Sequence, residues 1–512
     1  MSDKEFNQLT DQEFDRFLEE MTETPPSPGL ADAVNPWRIT MNRVLWGVGL
    51  TTVTFDALYL DTILPTFGMI LMLLGFRALR QENRWFQTAY CLSWLHMGWW
   101  FFTLFMDSTV AINDALPTWF LPGGTCLIAA CIFLSLLCLR NGIRSVQKKA
   151  GLSPHGGTGI LIWYLIVICL ALVNFSGVSV WGLLIAYFCL LRGLYKLSKE
   201  LTEAGYSIVS APVKCNDRIA ICAYVTVILG ILAIGFGLFA KYPMKWQPVT
   251  TAQTSSTEEA QQVREHLQSL GFPAYVLDDM TQEEILACQD ATHVLVDVRD
   301  YDISQGDAIF TEEELADGIY HGLTDETGER QIRTTYIGIK FADEREHWRI
   351  LHHFQWLIET EFCGTEAIQL WATDRLDGWF MEGEVSGRLL YDDGTMTYTS
   401  PYYDIGPITY EYSGPFASMF GGTSTDIFAT FSLPSEGQNH RGYVAYDILE
   451  RIDGCIVASY FNYVHQKHQS QFPAKTAAEY TMTAWISHNS PFQEIQTGLL
   501  FYTHLDEPAL ID

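Results

Sequence analysis

The feature that most constrains this chain is the succession of apolar stretches in its first half. Seven segments read as transmembrane helices: Val44–Leu60, Ile63–Leu79, Trp85–Met106, Trp119–Leu139, Gly159–Phe175, Val178–Leu194 and Ile219–Phe239. A spanning helix needs roughly 17–25 mostly apolar residues. One such stretch fits a soluble core; seven in succession do not. Charge marks the same division. Residues 1–250 hold 18 Lys+Arg against 17 Asp+Glu, whereas residues 251–512 hold 13 against 43, net −30. The expected fold is an α-helical membrane bundle of about seven transmembrane helices, residues 41–241, followed by an extracytoplasmic, mainly antiparallel β domain with flanking helices, residues 257–512. The lipid bilayer is the first expected partner. The acidic excess argues against nucleic acid, which requires a basic face.

The connections alternate in charge. Arg77, Arg80 and Arg84 are followed by the uncharged-to-acidic link 107–117. Arg140, Arg144, Lys148 and Lys149 are followed by Ser176-Gly177, and Arg192, Lys196, Lys199, Lys214 and Arg218 come next. Basic loops stay inside, so the N-terminus is expected in the cytoplasm and the acidic half outside, in a multi-pass cell-membrane protein. The polar N-terminus shows no cleavable signal peptide. Asp56, about 18 Å along the first segment at ~1.5 Å per residue, and His96, about 16 Å along the third, fall at similar depth. Ionisable groups at such depth are functional candidates, and the two are expected to be able to pair. A shifted first helix would instead leave Asp56 among the outer headgroups.

Residues 1–40 form an acidic tail. Thr10-Asp11-Gln12-Glu13 is a capping box, and Phe14, Phe17, Leu18 and Met21 follow at helical spacing. Thr24-Pro25-Pro26-Ser27-Pro28-Gly29 ends that helix and stiffens the tether. A cytoplasmic protein held by this stripe is one expected partner; docking on the chain's own basic loops is the other reading.

Tyr242–Ser256 reads as a tether to the outer half. A capping box at Ser256–Glu259 precedes the stripe Ala260, Val263, Leu267, Leu270, and Thr281–Glu284 opens a second short helix. From residue 292 the period becomes two, with strands expected at 294–298, Arg333–Phe341, Ala367–Ala372 and Ile427–Leu433, and at Trp348–Ile358, where a helix is the other reading. Asp393-Gly394 and Asp453-Gly454 each lie between apolar runs and predict two hairpins. Ala474–Ile486 reads as a closing helix. Cys288, Cys363 and Cys455 are too few for a disulfide scaffold, although one bridge among them stays open.

Chemical motifs are sparse. There is no HExxH, no GxSxG and no GxxxxGK[ST]. His465 and His468 point to opposite faces if in a strand. No metal, cofactor or catalytic residue is therefore assigned, and paired carboxylates for glycoside chemistry have no distinguishing spacing. Trp371, Tyr402, Tyr403, His440, Arg441, Tyr463 and His465 combine aromatic faces with polar tips near expected strand ends. Such groups line small-molecule sites and also ordinary sandwich surfaces. The acidity of this half favours a small or cationic ligand.

Asn35-Pro36-Trp37-Arg38, Met41-Asn42-Arg43-Val44-Leu45-Trp46-Gly47 and Gly75–Phe86 (GFRALRQENRWF), with Ile368–Trp371 and Arg441–Val444 outside, resemble a group of uncharacterised multi-pass membrane proteins of Gram-positive anaerobic bacteria. That resemblance implies no chemistry for particular residues. The layout alone is similar to membrane-bound anti-sigma factors, without their HxxxCxxC motif in residues 1–40. The functional expectation is a membrane sensor or regulator coupling the outer β domain to a cytoplasmic partner. An envelope enzyme or carrier for lipid or sugar, and a structural envelope module, are the alternatives.

Overall fold

The computed structural model describes residues 36–52, 59–110, 116–172, 180–208, 215–249, 257–311, 314–315, 322–324, 327–343, 345–358, 362, 364–371, 378–411, 423–468, 471–482, 490–503 and 508–511. It forms two compact units, Met1–Leu104 with Leu116–Ile231, and Phe105–Ala115 with Leu232–Asp512.

The helices are α1 (Pro36–Thr52), α2 (Leu60–Leu79), α3 (Arg84–Met106), α4 (Phe120–Lys149), α5 (Thr158–Leu172), α6 (Val180–Glu203) and α7 (Asp217–Leu238). Among the described residues, three are long and apolar enough to cross a membrane: α2, α4 and α7. This corrects the expected bundle of about seven transmembrane helices. The excess came from apolar runs that fail on length or polarity. The 15 described residues of α5 extend about 22 Å against a hydrocarbon core of ~30 Å. The second half of α6 carries Arg192, Lys196, Lys199, Glu200 and Glu203. α1 carries Arg38 and Arg43, and α3 mixes Gln87, Ser93 and His96 with four tryptophans. The alternation of basic and neutral connections counts α3 as a crossing, so it does not assign sides to the three helices.

In the helical unit, Trp37, Met41 and Val44 of α1, Met72 and Phe76 of α2, Phe86 of α3, Leu139 of α4, Trp163 of α5 and Tyr187 of α6 share one buried cluster. Gly47 lets α1 and α2 touch backbone to backbone: a Cβ there would lie 2.8 Å from Met72 Cα. Small residues commonly permit such approaches between apolar helices. Asp217 ties the start of α7 to Arg43, at 2.6 Å, and to Arg77.

The second unit is built from two antiparallel sheets. Its strands are β1 (Gln247–Pro248), β2 (Ala291–Asp302), β3 (Asp307–Ile309), β4 (Ile332–Phe341), β5 (His347–Trp356), β6 (Glu366–Trp371), β7 (Trp379–Asp392), β8 (Thr397–Ser400), β9 (Asp404–Glu411), β10 (Thr423–Phe431), β11 (Gln438–Glu450), β12 (Val457–Gln466), β13 (Phe492–Tyr502) and β14 (Ala509–Leu510). The sheet orders are β1-β8-β7-β11-β5-β4-β2-β3 and β14-β13-β12-β6-β10-β9. Trp348, Ile350, Phe354 and Trp356 of β5 pack with Phe431, Phe461, Tyr463 and Phe501 of the facing sheet. The alternate residue Leu351 packs instead beneath α8 (Glu258–Ser269), α9 (Ala274–Asp279) and α10 (Gln282–Leu286), against Leu267, Val276 and Ile285. On the outer face of the second sheet, Ala367 and Val464 pack with Ala477 and Ala478 of α11 (Ala477–Thr481). Strand alternation thus sorts one sequence into helix, sheet, sheet and helix layers.

Asp393-Gly394 turns β7 back on β8, with Leu389 paired to Ser400 and Gly394 at φ +88°. Asp453-Gly454 does not close a hairpin. β11 pairs with β5 and β7, and β12 with β6 and β13, so this turn carries the chain from one sheet to the other. The α8 cap is Thr257, which accepts from Ala260 N, while the α10 capping box is Thr281 with Glu284. The segment 242–249 packs on the sandwich rather than running free. Tyr242 stacks on Tyr403 at 4.4 Å, and β1 pairs with β8. Cys288 and Cys455 are free thiols, and Cys363 lies outside the described residues.

Candidate functional site

The residues expected from sequence to meet a ligand lie mostly inside the sandwich. Tyr463 is buried and its hydroxyl accepts from Trp356 Nε1 at 3.0 Å. His465 and Glu366 are buried 2.8 Å apart. His440 is buried between Phe362, at 4.6 Å, and Tyr391, at 5.8 Å. Tyr402 is buried and donates to Tyr443 O at 3.1 Å. Arg441 binds Asp279 at 2.8 Å and Asp392 at 3.1 Å. Trp371 meets Tyr460 at the end of β6. The fold therefore gathers Tyr463, His465 and His440 around Trp356 and Phe362, and leaves Trp371 and Tyr403 elsewhere. His96 is buried on α3. Asp56 and the stripe Phe14, Phe17, Leu18, Met21 lie outside the described residues.

Several buried polar groups elsewhere in the sandwich are paired for structure. Asp279, 3% exposed, accepts from His353 Nε2 at 2.9 Å and Arg441 Nε at 2.8 Å. Its own carbonyl accepts from Arg388 Nε at 2.7 Å. Burial opposes its ionisation, but His353 and Arg441 outweigh that and hold the carboxyl below the usual carboxylate range. Asp279 thereby staples α9 to β5, β7 and β11. Burial pushes the Glu366 carboxyl up, against the pull of His465. His352 Nε2 lies 2.7 Å from Ser459 Oγ, the spacing of a base and a hydroxyl nucleophile. Both side chains are fully buried between the sheets, so no substrate reaches them. Among the described residues, no three metal-ligating side chains converge.

An open pocket of about 330 Å³ lies elsewhere in this unit. It is lined by Asp297–Asp300 of β2, by Ile309, Phe310, Thr311 and Glu314, by Arg330 and Arg333, and by Leu500, Leu510 and Ile511. The two sheets converge here: β3 continues the edge of one, and β14 that of the other. Of β2, β3 covers only Asp300–Asp302, so among the described residues the rest of β2 has a strand, β4, on one side only. Ile511 N donates to Leu500 O at 2.9 Å and closes the opposite wall.

The rim alternates in sign. Asp300 accepts both Nε and Nη2 of Arg333, at 2.8 and 3.0 Å, and Nη1 of Arg330 at 2.9 Å. Arg299 pairs with Asp297 at 2.8 Å. Glu314 accepts from Thr311 N and Oγ1, at 2.7 and 2.8 Å. These bonds from Thr311 hold its carboxyl below the usual range. Asp300 is nearly buried, whereas Arg333 is 36% exposed and its Nη1 takes no part in the Asp300 pair. Preset carboxylates thus orient guanidinium groups over an apolar floor of Ile309, Phe310 and Leu500. Such a site suits a ligand with an anionic group for the arginines and a cationic group for Glu314 and Asp297.

None of the seven residues singled out from sequence lines this pocket. Its lining spans positions 297–511 and is assembled only by the meeting of two sheet edges. One signal was present: Arg299, Arg330 and Arg333 cluster in a half that holds only 13 Lys+Arg.

Fold and site together define a two-part chain: an apolar helical unit with three helices long enough to cross a membrane, and a double-sheet β unit with a charged pocket. No family model and no curated protein matches it. A solved structure described as "Pore forming protein" is 7% identical, with a TM-score of 0.17, over 34% of this chain and 88% of that one. A likeness at that level carries no argument about this chain.

Proposed function

We propose that the chain is a membrane-held receptor whose β unit binds a small zwitterionic molecule, such as a free amino acid or short peptide. The observation that carries this reading is the pocket in which Arg299, Arg330 and Arg333 alternate with Asp297, Asp300 and Glu314. Its volume of about 330 Å³ falls at the small end of ligand sites, ~300–1,000 Å³. The apolar helices α2, α4 and α7 supply the anchor. In this reading residues 1–35 are cytoplasmic and the β unit is outside. The β unit then meets ligand outside, and Phe14, Phe17, Leu18 and Met21 hold a cytoplasmic partner that reads the bound state.

The test is a thermal-shift screen of the full chain in nanodiscs, against amino acids, dipeptides and their singly charged capped forms. Saturation at 100 times Kd stabilises by about 2.7 kcal/mol. For a unit of this size that raises Tm by about 5–10 °C. Zwitterions should shift Tm most, and capping either end should reduce the shift. A flat screen, or equal shifts from capped forms, would overturn the reading.

A further inference from the structure

The helical unit holds a second cavity, a groove of about 440 Å³. Asn42, Leu45, Trp46, Gly49 and Leu50 of α1 form one wall. Tyr187, Phe188, Leu191, Arg192 and Tyr195 of α6 form another, and Leu64 of α2 closes the end.

Two hydrogen bonds fix the register of its walls. Trp37 Nε1 donates to Ser198 O at 3.3 Å, and Tyr187 OH donates to Val48 O at 3.1 Å. As α1 advances from 37 to 48, α6 runs back from 198 to 187, so the two helices are antiparallel. Asn42 therefore stands level with Arg192, while Leu50 and Leu64 lie toward the opposite end. Eight residues of helix separate Asn42 from Leu50, about 12 Å. The groove is thus graded. Asn42, Arg192 and Tyr195 stand at one end, and Gly49, Leu50 and Leu64 at the other.

Both polar groups lack partners. Among the described residues no carboxylate pairs with Arg192, and Asp217 engages Arg43 and Arg77. Asn42 Oδ1 is buried without a hydrogen bond. The exposed Arg192 guanidinium beside apolar walls is free to meet an anion, and the buried amide oxygen calls for a donor. Trp46, 66% exposed, and Phe188, 58% exposed, border the same groove. Aromatic side chains of this kind collect where apolar chains meet polar headgroups.

We propose that the groove binds one glycerophospholipid. Its phosphodiester meets Arg192, a hydroxyl of its headgroup donates to Asn42, and one acyl chain lies along Leu45, Gly49 and Leu50 to Leu64. A phosphatidylglycerol has all three parts. A fatty acid lacks the headgroup donor, and a phosphatidylcholine has the phosphate without a donor. The site shares no residue with the charged pocket of the β unit, so the proposal stands apart from the receptor reading.

The experiment is native mass spectrometry of the delipidated full chain in detergent, titrated with dioleoyl phosphatidylglycerol and with dioleoyl phosphatidylcholine. One phosphatidylglycerol should bind at least tenfold more tightly than phosphatidylcholine. Arg192→Gln should remove that preference, and Gly49→Trp, which fills the groove, should abolish the single tight site. Far-UV circular dichroism confirms that both variants keep their helix content, and Asn42→Leu serves as a milder third variant. Equal affinity for the two lipids, or tight binding unaltered in all three variants, would overturn the proposal. So would a native dimer, or new lipid binding only after deletion of residues 1–35, since either would name a protein segment as the occupant.

Discussion

Replacing Asp279 tests how the β unit is held together. The carboxylate is 3% exposed and is held by His353 Nε2 and the Arg441 guanidinium, at 2.9 and 2.8 Å. Removing one member of a buried pair costs about 3–5 kcal/mol, because the other charge stays buried. Arg441 retains Asp392 at 3.1 Å, which places Asp279→Ala at the low end, about 3 kcal/mol. At ~2–4 °C per kcal/mol for a unit of this size, Tm should fall by about 6–12 °C. Asp279→Asn keeps an acceptor and should lose about half as much. Asp278→Ala is the control: that neighbour pairs with Arg264 at 2.6 Å but is 67% exposed, and surface pairs contribute only ~0–1 kcal/mol. The assay is thermal unfolding of the full chain in nanodiscs, followed by the fluorescence of buried Trp348 and Trp356. The lowered pKa adds a pH signature. The carboxylate's contribution is present above the unfolded value of ~3.9 and is lost as pH falls through the native one. Equal shifts for Asp279→Ala and Asp278→Ala would refute the role of Asp279 as a staple.

Burial pushes the His352 imidazole down to about 3. The unfolded chain, at ~6.5, binds one more proton between those values, so stability should rise with pH by up to ~1.4 kcal/mol per unit and level off above 6.5. His352→Phe should flatten urea-unfolding free energies across pH 4–6.5; an unchanged slope would contradict the assignment. A Cβ on Gly442 would lie 2.8 Å from Arg388 O, 2.9 Å from Leu389 Cδ2 and 3.0 Å from Phe354 Cε1. Gly442→Ala should therefore cost about 1–3 kcal/mol, read from the same melts, and a neutral variant would show that the strands separate freely there. Asp300→Asn removes the charge that orients Arg330 and Arg333. It should weaken zwitterion binding at least tenfold in calorimetry while leaving the helix content unchanged.

Local order was legible where one segment decides it. In β5 the even positions Trp348, Ile350, His352, Phe354 and Trp356 face the intersheet core as their alternation requires. The Thr281–Glu284 capping box was legible because both partners lie within one turn. Asp393-Gly394 was legible because its two strands are neighbours in one sheet. Asp453-Gly454 has the same turn chemistry, yet nothing local says that β12 leaves the sheet of β11. The crossing helices were overcounted because apolar runs such as α5 and the first half of α6 resemble spans until length and the following charges are weighed. Tyr463, His465 and His440 were marked for their chemistry, but long-range strand pairing put them in the core. The pocket was missed for the same reason: the edges that form it are separated by most of the β unit.

The most direct test of the receptor account is calorimetric titration of the full chain in nanodiscs with a dipeptide selected by the thermal screen, repeated with Arg333→Gln and Asp297→Asn. The account predicts one site per chain and a loss of at least tenfold, about 1.4 kcal/mol, in each variant. The Arg333→Gln loss should vanish when the ligand's carboxylate is capped, and the Asp297→Asn loss when its amine is capped. Binding that neither variant weakens, or losses indifferent to capping, would contradict it.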